Sequence, residues 1–352
     1  MGKIDLLAGR NRNFPFLSQR AETAMNLIDV TKAFPTDEEC LGYIEQMRWP
    51  DGVVRCPTCG VDKVSRITRT NVRKDGKASK NVRKSVFQCL EPTCKQQFSA
   101  TSGTIFNDSH LPLHKWFMAL AIVVDAKKSI SANQLKEHLG IGSYRTAWYL
   151  AHRIRKAMAD ESGPFEQLRG TVEIDETYIG GKTKRRFGRA KENQRPRAEK
   201  FDMVLGMRER GGRVKYVHIP DGKAATIREA VAKHIVPNPD RLYTDSAAVY
   251  NFALDAQMAL KHRAVNHSRE WVVPNTKIHT NTVESSFSLL KRGLIGSFHR
   301  VSIKHLHRYL SEFEFRFNMR KDTDKFTRTL RRLAGIAPMP YVELIGVPKG
   351  EA

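Results

Sequence analysis

The sequence predicts a multi-domain protein in which a small cysteine-rich module and a helical segment precede a larger α/β core with a mixed sheet. Three observations support this class. The chain has 352 residues, which suggests two or three domains. Two close cysteine pairs lie near the N-terminus, and beyond Gly163 the helical periodicity gives way to alternating strands and helices. We expect domains at 1–48, 49–105, 106–163 and 164–322, followed by a C-terminal tail at 323–352.

The chain is strongly basic, with 60 Lys and Arg against 37 Asp and Glu and a net charge of +23. The positive electrostatic potential of such a chain favours a polyanionic partner, of which nucleic acid is the leading candidate. The alternative is a basic protein whose charge serves only solubility. The longest apolar run, from Phe117 to Val124, is far shorter than the roughly 18 residues of a membrane span. Because the N-terminus also lacks the apolar stretch of a signal peptide, we expect a cytoplasmic protein with no membrane partner.

Four of the five cysteines form two close pairs, Cys56 with Cys59 and Cys89 with Cys94. Together they supply four thiolates, the ligand set of a closed tetrahedral Zn²⁺ site in a zinc ribbon, where the metal is structural. The alternatives are two disulfides, which a reducing cytoplasm disfavours, or unligated buried thiols. The segment RKDGKASKNVRK between the pairs is predicted to be an exposed loop that can touch DNA phosphates.

Three helical patterns follow between Leu111 and Ala159. The second and third are joined by a short turn at residues 140–142 and resemble a helix-turn-helix whose third helix reads DNA. A plain helical bundle would give the same periodicity. The DNA-reading interpretation is favoured by a basic outer face predicted for the third helix, formed by Arg145, His152, Arg153, Arg155 and Lys156.

The core shows strand and helix patterns in a definite order. Predicted strands are 171–179, 201–208, 214–219, 241–245 and 262–266, and predicted helices are 224–234, 246–259, 281–292 and 304–319. The order β, β, β, α, β, α, β, α is that of a ribonuclease H-like core.

The first of these strands, within TVEIDETYIGG, carries an Asp in mid-strand, where Asp is a poor strand former. Strand alternation places Glu173 and Asp175 on one face and Ile174 and Glu176 on the other. Asp175 and Glu176 therefore cannot both serve one site.

Two further acids accompany Asp175. Asp245 ends the strand RLYTD, and Glu284 lies in the first turn of the helix that begins at Asn281. Either acid has an ordinary alternative role, Asp245 as a helix N-cap and Glu284 as the partner of Asn281 in a capping box. The strand order nevertheless brings the three carboxylates together, and two divalent metals would relieve their repulsion and support phosphoryl transfer. Lys291 falls on the same helix face as Glu284 and can reach a DNA phosphate.

The segments IDETYIGG, YTDS and HTNTVESSFSLLKRGLIGSFHRVSIKHLHRYLSEFEFRFNMR resemble the catalytic blocks of bacterial insertion-sequence transposases of the DDE class. The resemblance is to the group with a zinc ribbon ahead of an integrase-like core, and it runs from about Pro50 to Met319. It implies an enzyme that cuts and joins double-stranded DNA, the terminal inverted repeats of its element and the target, with Mg²⁺ or Mn²⁺, as a homo-oligomer on DNA.

The resemblance also implies residue roles. Asp175, Asp245 and Glu284 are the first, second and third acids and bind the catalytic metal, and Lys291 is the basic residue after them. Because members of this group differ in whether Glu, Asn or His is the third residue, Asn281 stays a candidate.

Two other interpretations of these sequence features remain. The protein is either a catalytically inactive zinc-ribbon DNA-binding regulator or a metal-dependent nuclease without strand joining. The segment from Lys182 to Lys200 carries nine Lys or Arg and is predicted to lie along DNA phosphates, with a solvated loop as the alternative. The scattered histidines, His262, His267, His299, His305 and His307, are predicted to be structural or to contact phosphate rather than to form a second metal site.

Overall fold

The chain divides into two compact units. The computed structural model describes residues 25–67, 86–159, 167–180, 202–299 and 301–346. One unit comprises Met1–Ala121 and Asp322–Ala334, and the other comprises Ile122–Lys321 and Gly335–Ala352. The basic segments predicted at 73–84 and 182–200 fall outside the described residues. None of the helices in the described part combines the length and the apolar character that crossing a membrane requires.

Strands and helices are numbered here along the described residues. The strands are β1 (Val64–Ile67), β2 (Val86–Cys89), β3 (Gln97–Phe98), β4 (Thr171–Ile179), β5 (Asp202–Glu209), β6 (Val214–Ile219), β7 (Arg241–Asp245) and β8 (His262–Val265). The helices are α1 (Leu27–Ala33), α2 (Asp37–Arg48), α3 (Leu113–Asp125), α4 (Ala132–His138), α5 (Tyr144–Met158), α6 (Ala224–His234), α7 (Tyr250–Ala253), α8 (Ala256–Lys261), α9 (Asn281–Gly293), α10 (Ile303–Asn318), α11 (Lys325–Gly335) and α12 (Tyr341–Ile345). A π-helical turn, Leu294–Phe298, continues α9.

The first unit is built around a small antiparallel sheet of order β1-β2-β3. The Trp49 ring, directly after α2, packs edge-on against Phe87 and Phe98 of the sheet, with centroids 5.7 and 6.3 Å away. Arg48 donates to the backbone carbonyl oxygen of Ala100 at 2.7 Å. These contacts bind the end of α2 to a sheet that is too small to bury a core by itself.

Helix α11 belongs to the first unit although it follows the α/β core in sequence. Its Phe326 ring lies 6.1 Å from Phe117 of α3 and is buried. The region that sequence patterns describe only as a tail therefore contributes an amphipathic helix to the N-terminal core.

The second unit is centred on a mixed five-stranded sheet of order β6-β5-β4-β7-β8. Strands β6, β5 and β4 are antiparallel neighbours, whereas β4, β7 and β8 run parallel. The order of elements along the chain is the one predicted for the core. The predicted mixed sheet and the multi-domain class are confirmed.

Helices cover both faces of this sheet, as strand alternation requires. Val172 and Ile174 of β4 and Leu205 of β5 pack on one side with α6, α7 and α8. Val204 of β5 and Val214 of β6 pack on the other side with α9 and α10. Strand β4 lies in the middle, so its polar residues are held between two apolar layers.

The predicted bounds of the core strands agree with the structure to within one residue. The predicted helix at 246–259 instead forms two short helices, α7 and α8. The Asp255 side chain accepts a hydrogen bond from the backbone N–H of Met258 at 2.8 Å and so begins α8 anew. The helix break follows from this internal N-cap.

The basic outer face predicted for α5 is wrong at three of its five positions. His152, Arg153 and Arg155 are buried, and Lys156 is half-buried, whereas Arg145 is exposed. The physical reason is that α5 packs against α10. Arg155 forms a buried ion pair with Glu312 of α10, with Nε 2.5 Å from the carboxylate. The exposed part of α5 is its first turn.

Candidate active site and cysteine cluster

The four paired cysteines come together in the first unit. Their sulfur atoms all lie within 4.8 Å of one another, an arrangement that could hold a metal ion. The Sγ atoms of Cys56 and Cys94 are 3.8 Å apart and those of Cys59 and Cys89 are 3.6 Å apart, far longer than the roughly 2.05 Å of a disulfide bond. The disulfide alternative therefore does not describe the structure.

The local fold prepares Cys56 for ligation. Burial works against its thiolate, but hydrogen bonds from the backbone N–H groups of Cys59 and Thr58 outweigh burial and lower the pKa of Cys56 to about 7. Gly60 follows with φ of +76°, the left-handed conformation that a tight knuckle needs and that glycine adopts readily. The first cysteine pair is thus shaped by its own turn.

Asp175 and Asp245 lie at matching heights on adjacent parallel strands. The register of β4 and β7 pairs Thr171 with Arg241 and Glu173 with Tyr243. If the same register is continued by two residues along both strands, Asp175 lies opposite Asp245. The two carboxylates therefore reach the same edge of the sheet, where parallel strands end together.

Helix α9 brings Glu284 to this edge, with Glu284 in its first turn. The approach depends on Gly206 of β5, which pairs with Asp175. A Cβ atom at Gly206 would collide with the Phe287 ring of α9. The missing side chain lets the helix lie directly on the strand beside Asp175.

The charges of these acids act on one another. Burial raises the pKa of Asp175 to about 7, and the charges of Glu176, Asp245 and Glu284 act in the same direction. The three predicted acids therefore lie close enough for their charges to act on Asp175. Among the described residues the four cysteines are the one group of ligand atoms drawn tightly together, so the carboxylates are near one another without forming a closed cage.

Glu176 faces away from α9, as the alternation of the strand predicts. Its carboxylate accepts a hydrogen bond from the hydroxyl of Tyr250 at 2.9 Å, on the face that packs against α7. Burial raises the pKa of Glu176 to about 7, and the charge of Asp245 adds to the effect. Glu176 thus lies near Asp245 but on the opposite side of the strand from Glu284.

Glu284 has two partners that the sequence patterns do not reveal. The Thr280 hydroxyl donates to its Oε1 at 2.8 Å, and His267 Nε2 lies 3.2 Å from the same oxygen and 2.7 Å from the Thr280 hydroxyl. The Thr280 hydroxyl and the His267 ring therefore both contact Oε1 of Glu284. A histidine predicted to be structural or to contact phosphate is thus placed beside the third acid.

The capping alternatives for these acids do not hold. Helix α9 begins at Asn281, preceded by Thr280 at the N-cap, and no capping box joins Asn281 to Glu284. Asp245 accepts from the backbone N–H of Ala247 at 3.0 Å, whereas α7 begins only at Tyr250. Asp245 therefore stabilises a turn rather than a helix N-terminus.

Two other predicted site residues are exposed on α9. Asn281 is at the first position of the helix, and Lys291 lies seven residues after Glu284, about two turns along the same face. Both side chains are open to solvent. Neither contributes to the negative charge around Asp175.

Two protein-family models match the chain. Residues 35–97 match the transposase zinc-ribbon domain, and this range contains all four clustered cysteines. Residues 167–318 match the ISXO2-like transposase domain, which contains Asp175, Asp245 and Glu284. Together the two matches span more than half of the chain. The chain therefore carries a transposase zinc-ribbon domain followed by an ISXO2-like transposase domain.

A relative of this chain is an uncharacterized protein in transposable element ISH50 of Halobacterium salinarum. The two are 29% identical over 298 residues, which is 81% of this chain and 92% of the relative. Two solved structures are also similar. The Mos1 strand transfer complex matches with a TM-score of 0.26 and 12% identity over 62% of this chain and 75% of that chain. A pre-cleavage Mos1 transpososome matches with a TM-score of 0.23 and 12% identity over 63% and 78%.

Proposed function

We propose that the protein is a DDE-class DNA transposase that cuts and joins the ends of an insertion sequence by metal-dependent phosphoryl transfer. The observation that carries the proposal is the shared negative field of Asp175, Asp245 and Glu284 at the end of two parallel strands. The match of residues 167–318 to the ISXO2-like transposase domain supports the same activity. In this proposal the chain acts in the cytoplasm on double-stranded DNA.

The three carboxylates fit a catalytic metal. Their oxygen atoms are ligands suited to Mg²⁺ or Mn²⁺, and burial together with the neighbouring carboxylates raises the pKa of Asp175 to about 7. Asp175, Asp245 and Glu284 would hold the metal, with Asn281 as the alternative third ligand. When bound, divalent cations would activate an attacking oxygen and stabilise a leaving oxygen in line.

The remaining side chains have supporting roles in this proposal. Thr280 and His267 both contact Oε1 of Glu284 and would orient its carboxylate for metal binding. Lys291, exposed two turns along α9, contacts a DNA phosphate and aligns the strand with the acids.

The cysteine cluster would bind one structural Zn²⁺. Four thiolates close a tetrahedral site with no open position, so the metal organises the first unit and takes no part in strand cleavage. Zinc binding at this place agrees with the zinc-ribbon family match.

The N-terminal 163 residues are proposed to recognise the terminal inverted repeats, whereas the core at 164–322 performs the chemistry on the ends and the target DNA. The first turn of α5 supplies exposed Tyr144, Arg145 and Thr146, and the first residues of a reading helix are those that reach base edges. A homo-oligomer would hold two ends together for joining.

The test is a product analysis with the full-length protein. Duplex DNA carrying the ends that flank the coding region is incubated with Mn²⁺ or Mg²⁺ and a supercoiled target plasmid. We expect nicked ends and end-to-target joints that disappear without divalent metal. Nicks without joints would favour a nuclease, and specific binding without nicks would favour a DNA-binding regulator.

A further inference from the structure

A buried carboxylate on β4 caps the helix that carries Glu284. Glu173, two residues before Asp175 on the same face, has 0% exposure. Its Oε2 accepts hydrogen bonds from the backbone N–H groups of Thr282 at 2.8 Å and Val283 at 3.0 Å. These are N–H groups of the first turn of α9, which have no partner within the helix.

The helix needs this cap because its own N-cap residue is used elsewhere. Thr280 makes no side-chain cap, since its hydroxyl donates to Glu284. The cap is therefore supplied across 109 residues of sequence, from the strand that carries Asp175. A negative charge at a helix N-terminus is also stabilised by the helix dipole.

Arg210 fixes the Glu173 carboxylate from its other side. Its Nε donates to Glu173 Oε1 at 2.6 Å, and its two terminal nitrogens donate to the backbone carbonyl oxygens of Lys277 at 2.6 Å and His279 at 3.0 Å. The guanidinium lies over the Tyr243 ring, 4.5 Å from its centroid. The buried charge is thus compensated, and the segment leading into α9 is held by the same side chain.

We propose that Glu173 is a positioning residue for the third acid: through Arg210 and the first turn of α9 it sets where Glu284 stands relative to Asp175. This inference rests on the proposed transposase function. Glu173 and Asp175 are two positions apart on the strand, separated by Ile174, which corresponds to about 6.7 Å along the backbone. Any movement of the first turn of α9 would change the separation of the two carboxylates, and metal sites depend on such outer partners.

The test compares Glu173→Gln with Glu314→Gln in the full-length, zinc-loaded protein. Glu314 is a matched control because it is also buried and accepts from a backbone N–H, that of Tyr216 at 2.6 Å, but it joins α10 to β6. Glutamine at 173 keeps one oxygen for the helix, whereas its NH₂ group faces the guanidinium of Arg210. The NH₂ group and the guanidinium N–H are both hydrogen-bond donors and cannot bond to each other. The contact with Arg210 is therefore lost, and the first turn of α9 becomes less well held.

Two readouts follow. Hydrogen exchange of the amides of Thr282 and Val283 should be about fivefold faster in Glu173→Gln, as expected for a weakened N-cap, and unchanged in Glu314→Gln. Calorimetric titration with Mn²⁺ should show a Kd about tenfold weaker in Glu173→Gln than in the wild type, with Glu314→Gln like the wild type. Arg210→Lys keeps the positive charge but loses the several N–H donors of the guanidinium. It should change the exchange rate and the Mn²⁺ Kd in the same direction as Glu173→Gln. It serves as the second variant if Glu173→Gln does not fold.

Unchanged exchange in the first turn of α9 would overturn the capping role. Faster exchange with an unchanged Mn²⁺ Kd would leave Glu173 a structural cap and overturn the positioning role, as would a wild-type protein that binds no Mn²⁺. A wild type that binds Mn²⁺ but never cuts or joins DNA would refute the proposed function, and the two readouts would still decide the role of Glu173.

Discussion

The Tyr250 hydroxyl donates a hydrogen bond to the Glu176 carboxylate at 2.9 Å, on the face of β4 opposite to the one that meets α9. Asp175, the preceding residue, lies on the face of Glu173 and Glu284. Adjacent acids in one strand thus have different surroundings. Glu176 is hydrogen-bonded to the buried Tyr250. Asp175 lies near other carboxylates, those of Asp245 and Glu284.

The first prediction separates these two acids. Asp175→Asn should abolish strand cleavage and joining, because it removes a proposed metal ligand, and Asp245→Asn should do the same. Glu176→Gln should retain most of the cleavage, since its carboxylate serves Tyr250. A nicking assay on end DNA with Mn²⁺, run alongside a DNA-binding assay, measures both. Full cleavage by Asp175→Asn would contradict the proposed catalytic metal site.

The second prediction concerns the third ligand. Glu284→Gln should reduce cleavage far more than Asn281→Ala, because a carboxylate suits a hard cation better than an amide does. Rates with Mg²⁺ and with Mn²⁺ should show the same order. Normal cleavage by Glu284→Gln together with an inactive Asn281→Ala would assign the third position to Asn281.

The third prediction concerns zinc. The purified protein should contain one tightly bound zinc per chain, and Cys56→Ser should lose it together with the cooperative unfolding of the first unit. Cys40→Ala is the control, since Cys40 is buried in α2 away from the cluster and should leave the zinc content unchanged. Metal analysis by mass spectrometry decides. A full zinc content in Cys56→Ser would contradict the four-cysteine site.

The fourth prediction follows from the orientation of α5. Arg145→Ala should weaken the preference for end DNA over unrelated DNA, because Arg145 is exposed in the first turn. Lys233→Ala, at an exposed cation of α6, should lower affinity for both DNAs alike. Equal loss of preference in the two variants would argue against α5 as the reading helix.

Arg155→Ala should act differently, through folding. It leaves Glu312 with one fewer cation in the core, and breaking such a buried pair costs about 3–5 kcal/mol. Thermal unfolding should show the loss. A stable Arg155→Ala variant with impaired DNA binding would mean that this side chain contacts DNA after all.

The fifth prediction is a pH dependence. The pKa of Asp175 is about 7 in the folded protein and about 3.9 in an unfolded chain, so between these values the folded state binds the extra proton. The free energy of unfolding therefore falls as pH rises through this window. Without added Mg²⁺ or Mn²⁺, Asp175→Asn should melt above the wild type at pH 8, and the difference should shrink toward pH 4. An equal difference at both pH values would contradict the raised pKa.

The local elements were predictable from the sequence because their signals are local. The alternation in TVEIDETYI fixes both the strand and the opposite facing of Asp175 and Glu176, and the β4 bounds agree with the prediction. The two cysteine pairs are recognisable from spacing alone. The start of helix α4 also depends on a local signal, the capping box of Ser131.

Only the tertiary structure decided which charges are buried and what they hold. The sequence shows a charged residue, Arg155, within a helical pattern. It does not show that Glu312, 157 residues later, neutralises the charge of Arg155 within the core. Glu173 could be noticed as a second acid on the face of Asp175, yet its partners come from a helix 109 residues away. A cap within a helix is encoded by its neighbours in sequence, whereas a cap supplied by a distant strand exists only after the strand and the helix have packed together.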